Sequence, residues 1–458
     1  MALIYPRGLV QPYHNDPLAF TPVAGSAGFF DPADPVFYGT GTFVNNSGTG
    51  SVTFGLSAST VGGANATAVG RQAVASNSSA TALGRTAAAS GIGSVAVGNS
   101  AIASDINAIG ILGTASGAGA TAAGVFSLAS GANSIAYGSN TTASGTSAMA
   151  FGNISIASST QSLAFGVLAS ATVGSNNMAF GTSAVTNAAS GIAFGASANC
   201  SGSSAMALGA NSICSAVQGI GAGFQANASG SRALSVGANT VSSNTSSIAF
   251  GGSSTALEGA TASGVAALAF GGSTTPTVRG AFASGANAVA LGSGGATAGA
   301  LASGADSLAF GRGAIASNTS AIAIGTSADA TFQNTTALGN NAQATAPAAT
   351  ALGNGSNCSA NNGVAVGTGA SCTGTSGVAI GSASSCTDTA LALGVGSVAG
   401  FSNTMAFGTG ATVTSADRPI AYTVPASGVI VEGVALVHDR SLQITINGVN
   451  YKILMRLA

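Results

Sequence analysis

The sequence is poor in charge. Of its 458 residues, 10 are Lys or Arg and 11 are Asp or Glu, so only 5% are charged, whereas an ordinary globular domain has about 25%. Such a chain lacks the basic surface that neutralises phosphates, which excludes a nucleic-acid-binding protein. Disorder caused by charge repulsion is also excluded, because 46% of the residues are apolar and the net charge is −1.

Tryptophan is absent, only 10 residues are proline, and glycine does not recur at every third position, so the chain is not collagen. No apolar run reaches the length of about 18 residues that a membrane-spanning helix needs, and we expect no membrane insertion. The first six residues lack the basic and apolar segments of a signal peptide, so we expect none.

Glycine, in contrast, is abundant and regularly spaced. A small residue, an apolar residue, alanine, a bulky apolar residue and a "marker" glycine recur about every 14 residues, as in 94–98 and 148–152. Fourteen residues suit one coil of two short strands and two tight turns. We therefore predict an all-β parallel β-solenoid of about 25 coils. Segments such as Ala143-Ser144-Gly145 are expected to form the turns, with their glycine at positive φ.

The repeat also predicts an uncovered apolar row. In Met149-Ala150-Phe151, alternation places the alanine on one face and the larger side chains on the other. We expect the thin interior to hold alanine, serine and one row of larger apolar residues, while another such row stays exposed. A single chain tolerates little exposed apolar surface, so we predict a homotrimeric rod. The candidate row for the core or the trimer interface is Met149, Phe151, Leu163, Phe165, Phe180, Phe194, Phe250, Phe270, Phe310 and Phe407.

Units such as 133–138 and 377–381, which read Asn-Ser-Ile-Ala-Tyr-Gly and Gly-Val-Ala-Ile-Gly, resemble the repeats of the YadA-like head domain of trimeric autotransporter adhesins. The resemblance extends over residues 51–410. It implies a left-handed parallel β-roll, a homotrimer and binding to host surfaces. Similar repeats also occur in the fibres of bacteriophages and other large viruses.

The chain departs from the autotransporter pattern, since we find no signal peptide, no heptad stalk and no membrane anchor of four amphipathic strands. Residues 442–454 predict a hairpin with an Asn-Gly turn, similar to the ends of viral fibre proteins. These features favour a virion fibre or spike of a bacteriophage, bound to other virion proteins through a terminal segment. The alternative is a bacterial cell-surface adhesin, and a third interpretation is an ice-binding solenoid, although regular Thr-x-Thr columns are missing.

Three regions follow from the composition. Residues 1–50 hold six of the ten prolines and are predicted to form an attachment or capping segment. Residues 51–410 form the repeats, and within 252–311 the glycine spacing lengthens, which predicts longer loops. The candidate contacts of these loops with a host receptor or glycan are Glu258, Pro276 and Arg279. Residues 411–458 are rich in charge and are predicted to form a C-terminal β cap for trimerisation.

The five cysteines occupy one position of the repeat, five residues after a marker glycine. They are Cys200, Cys214, Cys358, Cys372 and Cys386. Alanine holds this position elsewhere, so we predict a buried ladder of free thiols that act as small apolar side chains. The two histidines are far apart in sequence and the carboxylates of the repeats are scattered. We therefore expect no catalytic site, no metal, no cofactor and no enzyme activity.

Overall fold

The computed structural model describes residues 3–5, 9–11, 37–38, 49–253, 259–275, 277–413, 415–416, 420–423, 430–432, 441–446 and 449–454. All regular secondary structure in these residues is β-strand, and none of them forms a helix long and apolar enough to cross a membrane. The chain divides into two compact units, Met1–Ser147 and Ala148–Ala458.

Each unit is a parallel β-solenoid. One coil contains a strand of three residues and a strand of two residues, which we call the long and the short strand, joined by tight turns. Equivalent strands of successive coils pair in parallel and in register, so that Thr81 lies beside Val95 and Ala82 beside Ala96. The two units together hold about 25 coils, and the predicted architecture is confirmed.

The first unit begins with an antiparallel pair of strands, Leu3–Tyr5 and Leu9–Gln11. Strand Phe37–Tyr38 then pairs in parallel with the first long strand and continues the ladder beyond it. The long strands of this unit are Val52–Phe54, Thr67–Val69, Thr81–Leu83, Val95–Val97, Ile109–Ile111, Thr121–Ala123 and Ile135–Tyr137. Its short strands are Val74–Ala75, Ala88–Ala89, Ile102–Ala103, Thr114–Ala115, Leu128–Ala129 and Thr142–Ala143.

The second unit repeats the same coil. Its long strands are Met149–Phe151, Leu163–Phe165, Met178–Phe180, Ile192–Phe194, Met206–Leu208, Ile220–Ala222, Leu234–Val236, Ile248–Phe250, Leu268–Phe270, Val289–Leu291, Leu308–Phe310, Ile322–Ile324, Thr336–Leu338, Thr350–Leu352, Val364–Val366, Val378–Ile380, Leu391–Leu393 and Met405–Phe407. Its short strands are Ile156–Ala157, Ser170–Ala171, Val185–Thr186, Asn199–Cys200, Ile213–Cys214, Asn227–Ala228, Val241–Ser242, Thr261–Ala262, Phe282–Ala283, Leu301–Ala302, Ile315–Ala316, Asp329–Ala330, Gln343–Ala344, Asn357–Cys358, Ser371–Cys372, Ser385–Cys386, Val398–Ala399 and Thr412–Val413.

After the last coil of the second unit, the strands no longer follow the two-strand pattern of the coil. Ile420–Thr423 pairs in parallel with Met405–Phe407 and antiparallel with Ile430–Glu432. Ser441–Ile446 and Val449–Leu454 form the predicted antiparallel hairpin. The predicted turn residues, Asn447 and Gly448, lie outside the described residues, as does most of both terminal regions.

The interior of the coil consists of small side chains. Four positions of each coil point inward, and in one coil these are Ala66, Ala68, Ala73 and Ala75, all fully buried. Apart from Val413, the buried hydrophobic residues of the described coils are alanine and cysteine. The expected interior row of larger apolar residues is therefore wrong.

The reason is the short distance across the coil. A Cβ added to Gly221, in the centre of a long strand, would lie 2.9 Å from the carbonyl oxygen of Ile213 on the opposite short strand. Many buried hydroxyls in this narrow space donate to a carbonyl oxygen of their own turn, as Ser94 and Thr141 do to Gly91 and Gly138. The interior thus has room for alanine, serine, threonine and cysteine, and the larger side chains lie outside.

The turn after the short strand differs from the expectation. In Ala129-Ser130-Gly131, the glycine is not at positive φ, and Asn133 takes the left-handed conformation with a φ of 55°. A Cβ on Gly131 would nevertheless collide with the carbonyl oxygen of Gly145 in the next coil, although Ser159 and Asn244 hold the same position in other coils. Close stacking of the coils, rather than backbone conformation, accounts for this glycine.

The longer coils lie where the glycine spacing predicts them. Between Ile248–Phe250 and Thr261–Ala262, and in the next two coils, extra residues separate the long strand from the following short strand. Isolated parallel bridges join Ser253 to Ser273 and Ser273 to Gly294, so these loops also stack on one another.

Candidate functional site

The main candidate surface is the outer side of the long strands. The first and third residues of each long strand point outward, and we call the two columns that they form the apolar face. In the second unit these columns hold Met, Leu, Ile, Val and Phe in coil after coil, with Met149 38%, Phe194 53% and Phe310 53% exposed. The exceptions are Thr336 and Thr350 at the first position and Ala222 at the third.

All ten residues of the candidate apolar row lie on this face. Met149 and Leu163 are first residues of their strands, and the eight phenylalanines are third residues. None of the ten belongs to the interior of the coil. The structure therefore places the row on the outer surface of the single chain and not in its core.

Several phenylalanines of the second unit form ordered stacks. The ring centroids of Phe165 and Phe180 are 4.7 Å apart, and those of Phe180 and Phe194 are 4.9 Å apart, with nearly parallel planes. Phe250 and Phe270 stack in the same way at 4.9 Å. In-register strands impose this spacing, since equivalent residues of neighbouring parallel strands lie about 4.8 Å apart.

The apolar face of the first unit is less bulky. Val52, Phe54 and Ile109 are exposed there, whereas Thr67, Thr81 and Thr121 replace the aliphatic residue at the first position of other strands. The outward residues of the short strands are mixed in both units. In the second unit a run of them is polar: Asp329, Gln343, Asn357, Ser371 and Ser385. In the second unit the long-strand side is therefore the more consistently apolar of the two.

Of the three candidate receptor contacts, the structure describes Arg279. Its guanidinium lies 4.2 Å from the centre of the Phe282 ring, at a distance that allows a cation–π interaction. The neighbouring loops are linked by a hydrogen bond from the Thr275 hydroxyl to the carbonyl oxygen of Gly295. Glu258 and Pro276 lie outside the described residues.

The five cysteines are free and buried in the second unit. Each is the inward residue of a short strand, and Cys200 pairs in register with Cys214, while Cys358, Cys372 and Cys386 form a column of three. The sulfur atoms of Cys372 and Cys386 are 3.0 Å apart. In the described residues, no group of three or more His, Cys, Asp or Glu side chains has the arrangement of a metal site.

Glycines beside these thiols are a feature that the sequence reasoning missed. The buried position before each long strand is usually alanine or serine, but it is glycine at Gly191, Gly219, Gly363 and Gly377. A Cβ at any of the four would lie 2.8–3.2 Å from a cysteine sulfur. The larger cysteine is thus offset by a smaller neighbour, and the loss of alanine at this position is the signal that was available in the sequence.

This pairing predicts coupled effects on stability. In G219A the new Cβ would lie 2.8 Å from the sulfur of Cys214, while its next nearest atom is 3.4 Å away. We expect G219A to destabilise the second unit by about 1–3 kcal/mol through overpacking. The double variant G219A/C214A should recover most of this loss in urea unfolding followed by circular dichroism, with C214A as the reference. Simple addition of the two single effects would contradict the pairing.

Burial also changes the acidity of the thiols. It raises the pKa of Cys214 from its ordinary value of 9.0 to about 11, with a further contribution from the neighbouring Cys200. Because the folded chain favours the neutral thiol, the stabilisation is complete below pH 9 and is lost as the pH rises through 11. We expect the wild type to lose more stability than C214A between pH 9 and pH 11 in unfolding titrations. Parallel curves for the two proteins would contradict this.

The chain matches the model of one known family. The family model of the YadA head domain repeat, in two copies, matches residues 62–87, 89–109, 115–141, 143–169, 279–294, 302–328, 333–356 and 388–411. No curated protein matches the chain. The same coil continues through the described residues of 170–278 and 357–387, which the family model does not match and which contain all five cysteines. The unmatched stretches therefore include every coil whose interior holds a cysteine.

Proposed function

The chain carries YadA head domain repeats, and we propose that it forms the homotrimeric body of an adhesin-like surface fibre. The observation that carries this proposal is the apolar face, which stays exposed through successive coils of the single chain. YadA-like heads are trimeric in general, and the repeats of this chain have the side chains that such an assembly would bury.

The apolar face requires a partner surface that can bury it along successive coils. Soluble monomers rarely expose a contiguous apolar patch larger than a few hundred Å². In the second unit the two columns of the apolar face lie side by side and are both exposed. A partner for a long repetitive surface needs the same step from coil to coil. Another copy of this chain meets that condition, since its own phenylalanines recur at 4.7–4.9 Å.

Three copies suit the coil better than two. Three chains around one axis close their apolar faces symmetrically, whereas a dimer matches a long stripe less well. Sedimentation equilibrium in native buffer tests the assembly directly. We expect a species of three times the mass of the chain, and a species of monomer mass would refute the trimer.

We propose a mechanical and binding role without catalysis. Stacked coils with fully paired strands make a stiff spacer, and the longer loops around Arg279 would project from it and contact a receptor. The repeat family supports a place on a bacterial cell surface. The virion setting stays a prediction that rests on the terminal sequences alone.

The proposed location on the cell surface is tested by detecting the protein on intact cells and in virus particles. Antibodies to the chain should label the surface of intact producing cells in immunogold electron microscopy, with cells lacking the gene as the control. Mass spectrometry of purified virus particles from the same culture is the complementary measurement. Detection of the chain in the particles, with unlabelled cell surfaces, would overturn the adhesin proposal in favour of a virion fibre.

A further inference from the structure

The first unit contains a pair of stacked arginines. Its coils, residues 49–147, hold only three charged residues: Arg71, Arg85 and Asp105. The two arginines occupy the same turn position in adjacent coils, directly after the marker glycines Gly70 and Gly84. The backbone N–H of Thr86 donates to the carbonyl oxygen of Arg71 at 2.9 Å, which holds the two turns one above the other.

Both arginines are exposed, and within the described coils 49–147 the carboxylates are represented by Asp105 alone. The carboxylate of Asp105 lies in the turn that follows a short strand and accepts a hydrogen bond from the N–H of Ile106. Arg85 donates through Nε to the side-chain oxygen of Asn99 in the next coil at 3.1 Å. Among the described residues of this unit, no ion pair neutralises either guanidinium.

Like charges in this arrangement repel each other. Equivalent residues of neighbouring coils are about 4.8 Å apart, and like charges directly opposite each other on paired strands are destabilising. A guanidinium binds planar oxyanions through two parallel hydrogen bonds. An anion that bridges the two side chains would therefore relieve the repulsion and satisfy their donors.

The surroundings indicate the chemical class of the ligand. On the side of Arg85 the adjoining turn side chains are neutral and polar, and the hydroxyls of Thr86 and Ser100 are hydrogen-bonded to each other at 3.0 Å. With Asn99 they supply donors and acceptors of the kind that sugar hydroxyls use. On the other side of Arg71 the equivalent turn position holds the exposed Leu56. Two charges per chain suit a polymer with widely spaced anions, and too few cations are present for the dense phosphates of a nucleic acid.

We propose that Arg71, Arg85, Asn99, Thr86 and Ser100 form a binding strip for an anionic glycan, with sulfate or carboxylate groups on the two guanidiniums. The strip lies within one chain, so it does not depend on the proposed trimer or on its cellular location. If the chain is trimeric, three copies of the strip would raise the apparent affinity for a long polysaccharide.

The test uses the full chain and defined polymers. Biolayer interferometry at 50 mM NaCl would compare immobilised heparin, hyaluronan and neutral dextran as probes for sulfate, carboxylate and no charge. We expect binding to at least one anionic polymer, none to dextran, and weakening by added salt. R71Q/R85Q should bind at least tenfold more weakly. The matched control R232Q/R312Q removes the same charge from single positions of the second unit and should bind like the wild type.

Several outcomes would overturn the proposal: no binding to either anionic polymer, equal binding to dextran, or equal losses in the two double variants. Binding to phosphatidylglycerol vesicles without binding to either polysaccharide would also overturn it, because the ligand would then be a lipid surface. Circular dichroism and sedimentation of R71Q/R85Q, expected to match the wild type, separate a lost ligand contact from a lost fold. If sedimentation shows a monomer, the trimer proposal fails, but this binding test remains valid because the strip lies within one chain.

Discussion

Replacing Gly353 by alanine is expected to destabilise the second unit by about 3–5 kcal/mol, near the upper end of what single substitutions do. Gly353 has a φ of 140°, in a region that side chains avoid, and a Cβ there would lie 2.6 Å from the carbonyl carbon of Gly367 in the next coil. Neither backbone moves without breaking the ladder on both sides. Urea unfolding followed by circular dichroism measures the loss.

The matched control lies two residues away in the same turn. Gly355 has a φ of 63°, and a Cβ added to it would meet nothing within 4 Å. The equivalent position of another coil is Ala383, at a φ of 55°. We therefore expect G355A to cost only about 1 kcal/mol, the ordinary penalty for a left-handed alanine. Similar losses in G353A and G355A would show that contact between coils is not what requires the marker glycine.

A second large effect is expected when charge is placed on the apolar face, because the assembly of the chains should then be lost. In F180D/F194D, two stacked rings of the apolar face become carboxylates, which an interface between copies would bury without cations. Because both side chains lie outside the coil, the fold of the single chain should survive. We expect the sedimentation mass to fall from that of a trimer to that of one chain, while the circular dichroism spectrum is unchanged.

The control for this experiment adds the same charges beside the face. Ser183 and Ser197 are turn residues of the same two coils, with positive φ, which aspartate tolerates. S183D/S197D should remain trimeric. If F180D/F194D also stays trimeric, the apolar face is not the interface, and if both variants dissociate, added charge rather than lost apolar contact is responsible.

Much of the fold could be predicted from the spacing of one residue type. The marker glycines set the length of the coil, and alternation in segments such as Met149-Ala150-Phe151 showed which side chains share a face. Both signals are local, because the side-chain period of a strand and the φ required at a turn depend on a few consecutive residues. The longer loops and the register of the cysteines followed from the same count.

The candidate site was predicted only in part. The phenylalanine row was recognised, but the sequence left open whether it faces the interior or the outside. The pairing of Gly219 with Cys214, and of Gly363 and Gly377 with the column of three thiols, was not predicted. Each glycine lies just before a long strand and each cysteine on a short strand, and the sequence does not give the distance between them. The stacked pair Arg71 and Arg85 was not predicted either, because the sequence analysis did not compare charged residues at equivalent turn positions of adjacent coils.

The sequence by itself determined the coil: its 14-residue step, its two strands and the in-register stacking of equivalent residues. Only the tertiary structure decided how wide the coil is, and therefore that phenylalanine lies outside and that glycines lie beside the cysteine sulfurs. The physical reason is that strand period and turn conformation are properties of neighbouring residues. The distance across a coil, and the distance from one coil to the next, exist only once the chain has closed on itself.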